Sequence, residues 1–339
     1  MNSPTILVTG ASGLLGQHLV HHLSKGNRLV RALYHHHPPD AQLQQLPNII
    51  WQPCDLLDVF QVEEVMGGIE YVYHCAAVVS FSRADRNFML HFNVESTANL
   101  VNEALEHDVR KFVFVSSIAA LGRTEHQQAH ITESVEWEES NHNSHYGLSK
   151  YLAELEVWRG AGEGLNITIV NPGIILGEPL STTGDGWNKG SSKLMTVVNK
   201  QFPFYTQGIN AWVDVKDVVQ AMTELMQSNI VNERFILCAG NFAYKEIFSQ
   251  MALLLEKKSP HIPAGKLLTS IVWRFNAFKE LFTGKTPTIT KETATTAQRQ
   301  SFYCNEKLLQ WIPNFTYTPI HQTLARMASA FKSQKTPSI

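Results

Sequence analysis

The stretch VTGASGLLGQHL, residues 8–19, decides the fold of this chain. It follows an apolar run directly, opens a helical pattern, and carries Gly10, Gly13 and Gly16 in a GxxGxxG spacing. Glycine permits a tight turn and lets backbone N–H groups approach a pyrophosphate at the positive end of a helix. A glycine triplet alone is a weak signal, but a strand before it and a helix after it are the context that dinucleotide binding requires. We therefore predict a dinucleotide site at this turn.

Short β-rich runs alternate with longer helical stretches over the first half of the chain. The runs are largely apolar, which is typical of parallel strands buried on both faces. This βαβ series predicts an α/β fold, a Rossmann-type doubly wound parallel sheet with a smaller, mostly helical C-terminal substrate lobe. Strands are predicted at 5–10, 28–34, 49–54, 71–77, 111–117 and 166–172, and helices at 13–25, 58–66, 85–107 and 145–160.

The alternation loosens after residue 175, where a loop rich in Gly, Ser and Thr precedes further helical stretches. We predict a dinucleotide-binding Rossmann domain over 1–175, with 205–240 rejoining it because 234–240 has the composition of a last strand. Residues 176–204 and 241–339 are predicted to form the substrate-binding lobe. The later helices are predicted at 191–200, 216–227, 244–257, 266–283 and 318–332.

The composition narrows the possible partners. The 339 residues are 44% hydrophobic and 17% charged, and a net charge of -2 supplies no general basic surface for nucleic acid. The N-terminus lacks the pattern of a signal peptide, and no segment reaches about 18 uninterrupted apolar residues. We expect a cytoplasmic protein with a small-molecule substrate, no nucleic-acid or membrane partner, and four cysteines present as reduced thiols.

The end of the second predicted strand bears on the choice between NAD and NADP. NAD sites usually carry an acidic residue there to hold the ribose hydroxyls, but this chain has Tyr34 or His35 at that place. With Arg31 and the histidines at 35–37 nearby, we favour NADP and keep NAD as the alternative; Arg31 as a solvated strand residue is the other interpretation. The histidine run has no accompanying Cys, Asp or Glu cluster, so we expect no metal site.

Two further strand ends carry candidate cofactor contacts. Asp55, in CDLLD, is placed to accept a hydrogen bond from an adenine amino group, although an aspartate there is also a common helix N-cap. The segment HCAA, which includes Ala76, ends the fourth strand with small residues that let a cofactor lie across the sheet edge.

Tyr146 and Lys150 lie four residues apart in SHYGLSK, at the start of a predicted helix. Since one helical turn is about 3.6 residues, both side chains project from the same face. Such pairs also occur by chance, so the spacing alone leaves open whether this pair is a site.

Six motifs occur together and in order between residues 5 and 240. They are TGASGLLG, CDLLD, HCAA, the serine pair before IAALG, YGLSK and NPGIILG. With this combination the chain resembles the extended short-chain dehydrogenase/reductase family. Within that family it is similar to the branch of dihydroflavonol reductases, 3β-hydroxysteroid dehydrogenases and NAD-dependent epimerase/dehydratase-like proteins. The resemblance implies a homodimer formed by the helices at 85–107 and 145–160.

The resemblance also implies roles for individual residues. Tyr146 would be the general acid/base, Lys150 its electrostatic partner and ribose ligand, and Ser117 a hydrogen-bond donor to the substrate oxygen. Asn93 matches a family asparagine and stays outside the catalytic set. The candidate catalytic residues are Ser117, Tyr146 and Lys150; the candidate cofactor-binding residues are Gly10, Ser12, Gly13, Leu14, Leu15, Gly16, His35, Asp55, Leu56, Ala76, Tyr146, Lys150, Pro172 and Ile174.

These roles require a phenol that exchanges its proton near neutral pH. Lowering its pKa from about 10 to about 7 corresponds to roughly 4 kcal/mol. One positive charge about 4 Å away supplies roughly that energy at an effective dielectric constant near 20, before desolvation subtracts from it. We therefore expect Lys150, together with an oxidised nicotinamide, to make Tyr146 a useful acid or base.

Three functions are compatible with these residues. The first is an NAD(P)-dependent oxidoreductase that transfers a hydride between nicotinamide and a carbonyl or alcohol substrate. Family members acting on nucleotide sugars commonly hold the diphosphate with an arginine before the segment WVDVKDV, but this chain has no Arg or Lys between Gln201 and Val215. A nucleotide-sugar epimerase or dehydratase stays open, because Lys189, Lys193 and Arg299 remain available to phosphates.

A non-catalytic NAD(P)-sensing protein is the third candidate, although such relatives often lack the tyrosine or the lysine. The aromatic residues of the last predicted long helix fit either an apolar substrate pocket or plain helix packing. They are Trp273, Phe275, Phe278 and Phe282.

Overall fold

Seven parallel strands form the main sheet of the computed structural model, which describes residues 5–122, 130–139, 143–181, 186–265 and 297–335. They are β1 (Ile6–Thr9), β2 (Val30–Tyr34), β3 (Ile49–Pro53), β4 (Tyr71–His74), β5 (Lys111–Val115), β7 (Ile167–Pro172) and β11 (Glu233–Leu237). Their order across the sheet is β3-β2-β1-β4-β5-β7-β11. The order reverses beside β1, and this reversal opens a crevice at the carboxyl ends of the strands, where doubly wound sheets bind ligands.

Seven shorter strands lie outside the main sheet. They are β6 (His130–Ile131), β8 (Ile174–Leu176), β9 (Phe204–Tyr205), β10 (Ile209–Asp214), β12 (Gly240–Ala243), β13 (Ile262–Pro263) and β14 (Phe302–Tyr303). Strands β8, β10 and β12 form a three-stranded sheet, while β9 pairs with β13 and β6 with β14.

Ten α-helices occur in the described ranges. They are α1 (Leu14–Leu23), α2 (Ala41–Gln44), α3 (Val59–Met66), α4 (Arg86–Glu106), α5 (His145–Gly162), α6 (Lys193–Asn199), α7 (Val215–Gln227), α8 (Tyr244–Leu254), α9 (Glu306–Trp311) and α10 (Ile320–Lys335). The predicted helix at 266–283, with its four aromatic residues, lies outside the described residues.

Helices cover both faces of the main sheet. On one face α1 and α7 pack together over a core that includes Leu19 and Met222, and on the other α3, α4 and α5 enclose a core that includes Leu100 and Val157. Because both faces are buried, the strands are apolar throughout rather than alternating. The predicted α/β fold with a Rossmann-type doubly wound parallel sheet is confirmed.

The segment predicted to rejoin the sheet divides between two sheets. Strand β11 pairs in parallel with β7 in the main sheet, whereas β10 pairs with β8 and β12 outside it. Gly173 alone separates β7 from β8, and the backbone of the distant Ala211 lies so close that a Cβ on Gly173 would sit 2.6 Å from its carbonyl oxygen. The chain therefore leaves the main sheet here and β10 follows β8.

The C-terminal part has a hydrophobic core of its own. Residues of β8, β10, α6, α8 and α10 pack together with Trp187, among them Trp212, Met251, Leu324 and Phe331. Arg326 of α10 ties this helix to the end of β10 and to the residue pair after β8, since its guanidinium pairs with the fully buried Asp214 at 2.7 Å and with Glu178 at 2.8 Å. The division into a dinucleotide domain and a substrate-binding lobe stays a prediction.

Within the described ranges, no helix is both long enough and apolar enough to span a membrane.

Candidate active site

The glycine turn joins β1 to α1 in a conformation that only small residues allow. Gly10 has a φ of +64°, and a Cβ there would lie 2.7 Å from the backbone nitrogen of Ala76. A Cβ on Gly16 would lie 2.1 Å from the carbonyl oxygen of Gly10. Gly13 is the N-cap of α1, so no side chain covers the free N–H groups of the first turn.

This turn has the features that a dinucleotide needs. The first turn of α1 carries no acidic residue to repel a pyrophosphate, and the exposed Ser12 and Gly13 stand at the positive end of the helix. The close backbone approach at Gly10 brings the loop after β4, with Ala76, against the turn. The residues present therefore fit the pyrophosphate of NAD or NADP.

A buried hydrogen-bond chain holds the glycine turn to α4. The Thr97 hydroxyl donates to the carbonyl oxygen of Asn93 at 2.7 Å, so His74 must donate from Nε2 to Thr97 at 3.0 Å. His74 Nδ1 then accepts from the Thr9 hydroxyl at 2.7 Å, and Thr9 accepts from the N–H of Ala76 at 3.1 Å. Burial, and secondarily the charge of Lys150, lower the pKa of His74 well below its ordinary value, which keeps the ring neutral. This series of hydrogen bonds was not predicted from the sequence, although a histidine at the end of a buried strand was a usable signal.

His35 and Asp55 lie next to each other beyond the ends of β2 and β3. Their Nε2 and Oδ2 atoms are 3.9 Å apart, and both side chains are about half exposed. The Asp55 carboxylate accepts the N–H of Leu57 at 3.0 Å, whereas the N-cap of α3 is Asp58, which accepts from Phe60 and Gln61. The alternative interpretation of Asp55 as a helix N-cap is therefore wrong, because the N-cap of α3 lies three residues later, at Asp58.

Arg31 is positioned differently from either sequence interpretation. Its guanidinium donates to the carbonyl oxygen of Val65 near the end of α3, and its Nε is buried. Burial lowers the pKa of the guanidinium from its ordinary value. The expectation that Arg31 supports a 2′-phosphate is wrong, because its side chain donates to the C-terminal end of α3 and not toward the carboxyl end of β2.

The remaining predicted cofactor residues lie either in or against the hydrophobic core or near the end of β7. Leu15 and Leu56 are core residues with side chains 9% and 5% exposed, so a ligand could meet only their backbone. Leu14 packs partly against the same core, and Pro172 and Ile174 flank Gly173 where β7 ends. All the predicted residues lie at or near the carboxyl edge of the sheet, as parallel strands require.

Helix α5 begins where SHYGLSK predicts it. The hydroxyl of Ser144 accepts the N–H of Gly147 at 2.8 Å as an N-cap. Gly147 lets the helix approach the turn after β5, since a Cβ there would lie 2.5 Å from the carbonyl oxygen of Ala119. This close packing brings Tyr146 beside Ser117.

The Tyr146 phenol lies beside the Ser117 hydroxyl and interacts with it. Burial raises the pKa of Tyr146 to about 12, and the interaction with Ser117 opposes that rise. The chain's own groups therefore keep the phenol protonated at neutral pH, in contrast to the expectation that a positive charge would bring it near neutrality. The expected role of Lys150 and an oxidised nicotinamide in lowering this pKa stays a prediction.

Lys150 is buried one helical turn beyond Tyr146, with 1% of its surface exposed. Its Nζ lies 4.2 Å from the ring centroid of Phe114 in β5, a cation–π contact. Burial lowers the pKa of Lys150 to about 8, while the charge of Glu154 acts in the opposite direction. The ammonium group thus titrates close to physiological pH.

Asn93 is a structural residue whose amide joins two parts of the site. It accepts the N–H of Val78 at 2.7 Å and donates to the carbonyl oxygen of Val78 at 3.0 Å and to Ser149 at 2.9 Å. Ser149 in turn donates to the carbonyl oxygen of Tyr146 at 2.8 Å. Asn93 therefore holds the loop after β4 against α5.

Comparisons with known proteins identify the family of this chain. The family model for the NAD dependent epimerase/dehydratase family matches residues 6–238. A Synechocystis sp. protein, provisionally named a dihydroflavonol 4-reductase, is 28% identical over 96% of this chain and 94% of its own length. Cinnamoyl-CoA reductase 1 of Petunia hybrida is 27% identical over 78% of this chain and 80% of its own.

A solved structure shares the whole fold. The crystal structure of UDP-glucose 4-epimerase from Thermotoga maritima, which contains UDP-glucose, superposes with a TM-score of 0.77 at 18% identity, covering 97% of this chain and 99% of that one. At this identity the likeness concerns the fold. The family-model match, with the glycine turn and the α5 tyrosine and lysine at one sheet edge, shows that the chain belongs to the NAD dependent epimerase/dehydratase family, among the NAD(P)-dependent enzymes of the extended short-chain dehydrogenase/reductase group.

Proposed function

We propose that this enzyme is a reductase or dehydrogenase of a carbonyl or alcohol substrate, with Tyr146 as general acid/base, Lys150 as its electrostatic partner and Ser117 as the donor to the substrate oxygen. The observation that carries the proposal is the placement of the Tyr146 phenol beside the Ser117 hydroxyl, with Lys150 one helical turn away. A half-buried tyrosine, a charged lysine and a serine at the sheet edge suit proton transfer to one oxygen atom.

The chain's own residues account for the proton in this reaction. When bound, the nicotinamide supplies or accepts the hydride. In the reducing direction Tyr146, whose pKa of about 12 keeps it protonated, donates to the oxygen of the substrate carbonyl. Ser117 donates a hydrogen bond to the same oxygen, and Lys150 stabilises the phenolate that Tyr146 leaves and binds the nicotinamide ribose.

The composition around β10 supports a less charged substrate. No Arg or Lys lies between Gln201 and Val215, the region that would supply an arginine for a diphosphate. Two relatives, a provisionally named dihydroflavonol 4-reductase and a cinnamoyl-CoA reductase, bear the names of reductases, which supports a reductase for this chain. The core of Trp187, Trp212 and Met251 supplies an apolar frame for a substrate-binding lobe.

A nucleotide-sugar epimerase is the second candidate, and one observation favours it. The carbonyl oxygen of Arg299 accepts the N–H of Ile209, so Arg299 lies beside the start of β10. That position could replace the missing arginine as a diphosphate ligand. The third candidate, a non-catalytic cofactor sensor, has less support because both Tyr146 and Lys150 are present.

A substrate screen separates these candidates. The protein with NADPH or NADH is tested on aldehydes, ketones and steroids, and with UDP-glucose in the presence of NAD. Our proposal expects absorbance at 340 nm to fall with a carbonyl compound and no conversion of UDP-glucose. Conversion of UDP-glucose without net change in cofactor absorbance would instead establish the epimerase.

We further propose NADP as the preferred cofactor, held at its 2′-phosphate by His35. Replacing His35 with alanine is expected to weaken NADPH binding up to about fivefold and to leave NADH binding unchanged, because an exposed ion pair is worth at most about 1 kcal/mol. Fluorescence titration with both cofactors measures the effect, and replacement of His261, an exposed histidine just before β13, with alanine is the matched control. Equal losses for NADH and NADPH would contradict the assignment.

A homodimer and a cytoplasmic location are further proposals. Helices α4 and α5 pack side by side, and each exposes a large apolar residue, Phe88 at 53% and Leu155 at 43%. We expect light scattering to give twice the mass of one chain, and Leu155→Glu to give the mass of one chain. A wild-type protein with the mass of one chain would contradict this interface.

A further inference from the structure

Helix α5 carries a third polar residue in line with the proposed catalytic pair. Tyr146, Lys150 and Glu154 follow each other at intervals of four, so they occupy one face of the helix. Glu154 is 1% exposed, which is rare for a carboxylate unless it is paired. It touches neither the glycine turn nor the proposed proton donor, so the function proposed above does not explain its burial.

The Glu154 carboxyl group is held from two sides. Asn171 of β7 donates to its Oε1 at 2.6 Å, and Nη1 of Arg234 in β11 lies 3.4 Å from its Oε2. Arg234 is itself fixed by the carbonyl oxygen of Glu133, which accepts from its Nε at 2.8 Å. These contacts keep the carboxyl group in one position against α5.

Asn171 connects the same carboxyl group to the proposed oxygen-binding serine. Its Nδ2 also donates to the backbone carbonyl of Ser117 at 3.0 Å. One amide nitrogen therefore bridges Glu154 and the turn that presents the Ser117 hydroxyl to Tyr146. A change at Glu154 is transmitted to this turn through a single side chain.

Few of the groups that face Lys150 and Glu154 titrate near neutral pH. His74 at the end of β4 and Cys75 just after it face Lys150; burial holds the pKa of His74 well below its ordinary value and raises that of Cys75 to about 12. Arg234 faces Glu154 and bears a guanidinium, which stays protonated in proteins. Among these groups, Lys150, whose pKa burial lowers to about 8, is the one whose charge changes in the range of enzyme assays.

We propose that Glu154 is a positioning residue of the active site, whose buried carboxylate keeps the Lys150 ammonium group charged and holds Asn171 against the Ser117 turn. An ammonium group against the Phe114 ring has lost most of its hydration, and a carboxylate one helical turn away replaces part of it. Burial lowers the pKa of Lys150 and raises that of Glu154, and in each case the charge of the other residue opposes the effect of burial.

This inference rests on the proposed function only for the effect of Glu154 on catalysis. The effect of Glu154 on the protonation of Lys150 can be measured in the protein without cofactor or substrate. In Glu154→Gln the amide oxygen still accepts from Asn171, while the charge is removed. With protein labelled with ¹³C at lysine, NMR follows the titration of Lys150 without cofactor. We expect the Lys150 midpoint to move from about 8 toward acid by about one pH unit.

The matched control is Glu163→Gln, at the C-cap of the same helix, where the carboxylate pairs with Arg159 in solvent. It should leave the midpoint unchanged. In Glu154→Gln, the decline of cofactor affinity and of kcat/KM with rising pH should also begin about one pH unit lower than in the wild type. An unchanged Lys150 midpoint overturns the inference.

Two further results separate failure of this inference from misfolding of the variant and from failure of the proposed function. If Glu154→Gln does not fold, Arg234→Gln removes the positive charge that compensates the Glu154 carboxylate from the far side. The less compensated carboxylate should then move the Lys150 midpoint toward alkaline pH by a smaller amount; no movement overturns the inference. If the midpoint moves as expected but no substrate is turned over by the wild type, the proposed function fails and the electrostatic role of Glu154 stands.

Discussion

Replacing Tyr146 with phenylalanine is expected to lower turnover by about 10²- to 10⁴-fold, the usual contribution of a positioned general acid or base. The substitution removes one hydroxyl and keeps the ring, which contacts Phe81 edge-on with the centroids 6.0 Å apart. Cofactor affinity should therefore change little. Steady-state kinetics and a cofactor titration measure the two effects separately.

Tyr151→Phe is the matched control, because Tyr151 lies on the same helix but stacks on Trp137 with ring centroids 4.6 Å apart. This control should keep wild-type turnover. If Tyr146→Phe also keeps it, Tyr146 has no part in proton transfer.

Replacing Lys150 with methionine is expected to weaken cofactor binding at least about tenfold and to lower turnover as well, since loss of one buried charged hydrogen bond costs on the order of 1.5–3 kcal/mol. Methionine has a similar shape, and removing a buried charge relieves desolvation, so the protein should stay folded. Binding is measured by fluorescence titration with NADPH, and turnover by steady-state kinetics.

The pH dependence of binding gives a second test of Lys150. Burial lowers its pKa to about 8, so the charge is present below that pH and is lost as the pH rises through it. Wild-type cofactor affinity should fall over this range, and the fall should be absent in Lys150→Met. Lys257→Met, an exposed lysine after α8, should retain the wild-type profile. A wild-type affinity that does not change between pH 7 and 9 would contradict the role of the ammonium charge.

Features determined within a few residues were predictable from the sequence. The glycine turn is one, because a positive φ at Gly10 and the contact of Gly16 with the Gly10 carbonyl need no knowledge of the distant chain. The start of α5 at Ser144 is another, since its cap lies in the same seven residues as Tyr146 and Lys150. Periodicity also predicted the parallel strands, because burial on both faces makes them continuously apolar.

Features that depend on distant partners were not predictable in this way. Arg31 donates to Val65, 34 residues away, so its nearness in sequence to the histidines wrongly indicated a role in binding a 2′-phosphate. Strand β10 follows β8 because of the close packing of Gly173 on Ala211, which no propensity encodes.

The network around Glu154 was missed for the same reason. Asn171 and Arg234 reach Glu154 from other strands, and only its spacing from Lys150 gave a local signal. Long-range hydrogen bonds to buried polar groups are satisfied by the tertiary fold, so the sequence around any one of these residues does not identify its partners.

The most direct test is a structure of the protein with NADPH bound. We predict that the Lys150 ammonium contacts the nicotinamide ribose, that Tyr146 and Ser117 face the nicotinamide ring, and that the pyrophosphate lies on the turn at Gly10, Gly13 and Gly16. A nicotinamide bound away from Tyr146, Lys150 and Ser117 would contradict the proposed catalytic site, whatever cofactor the glycine turn accepts.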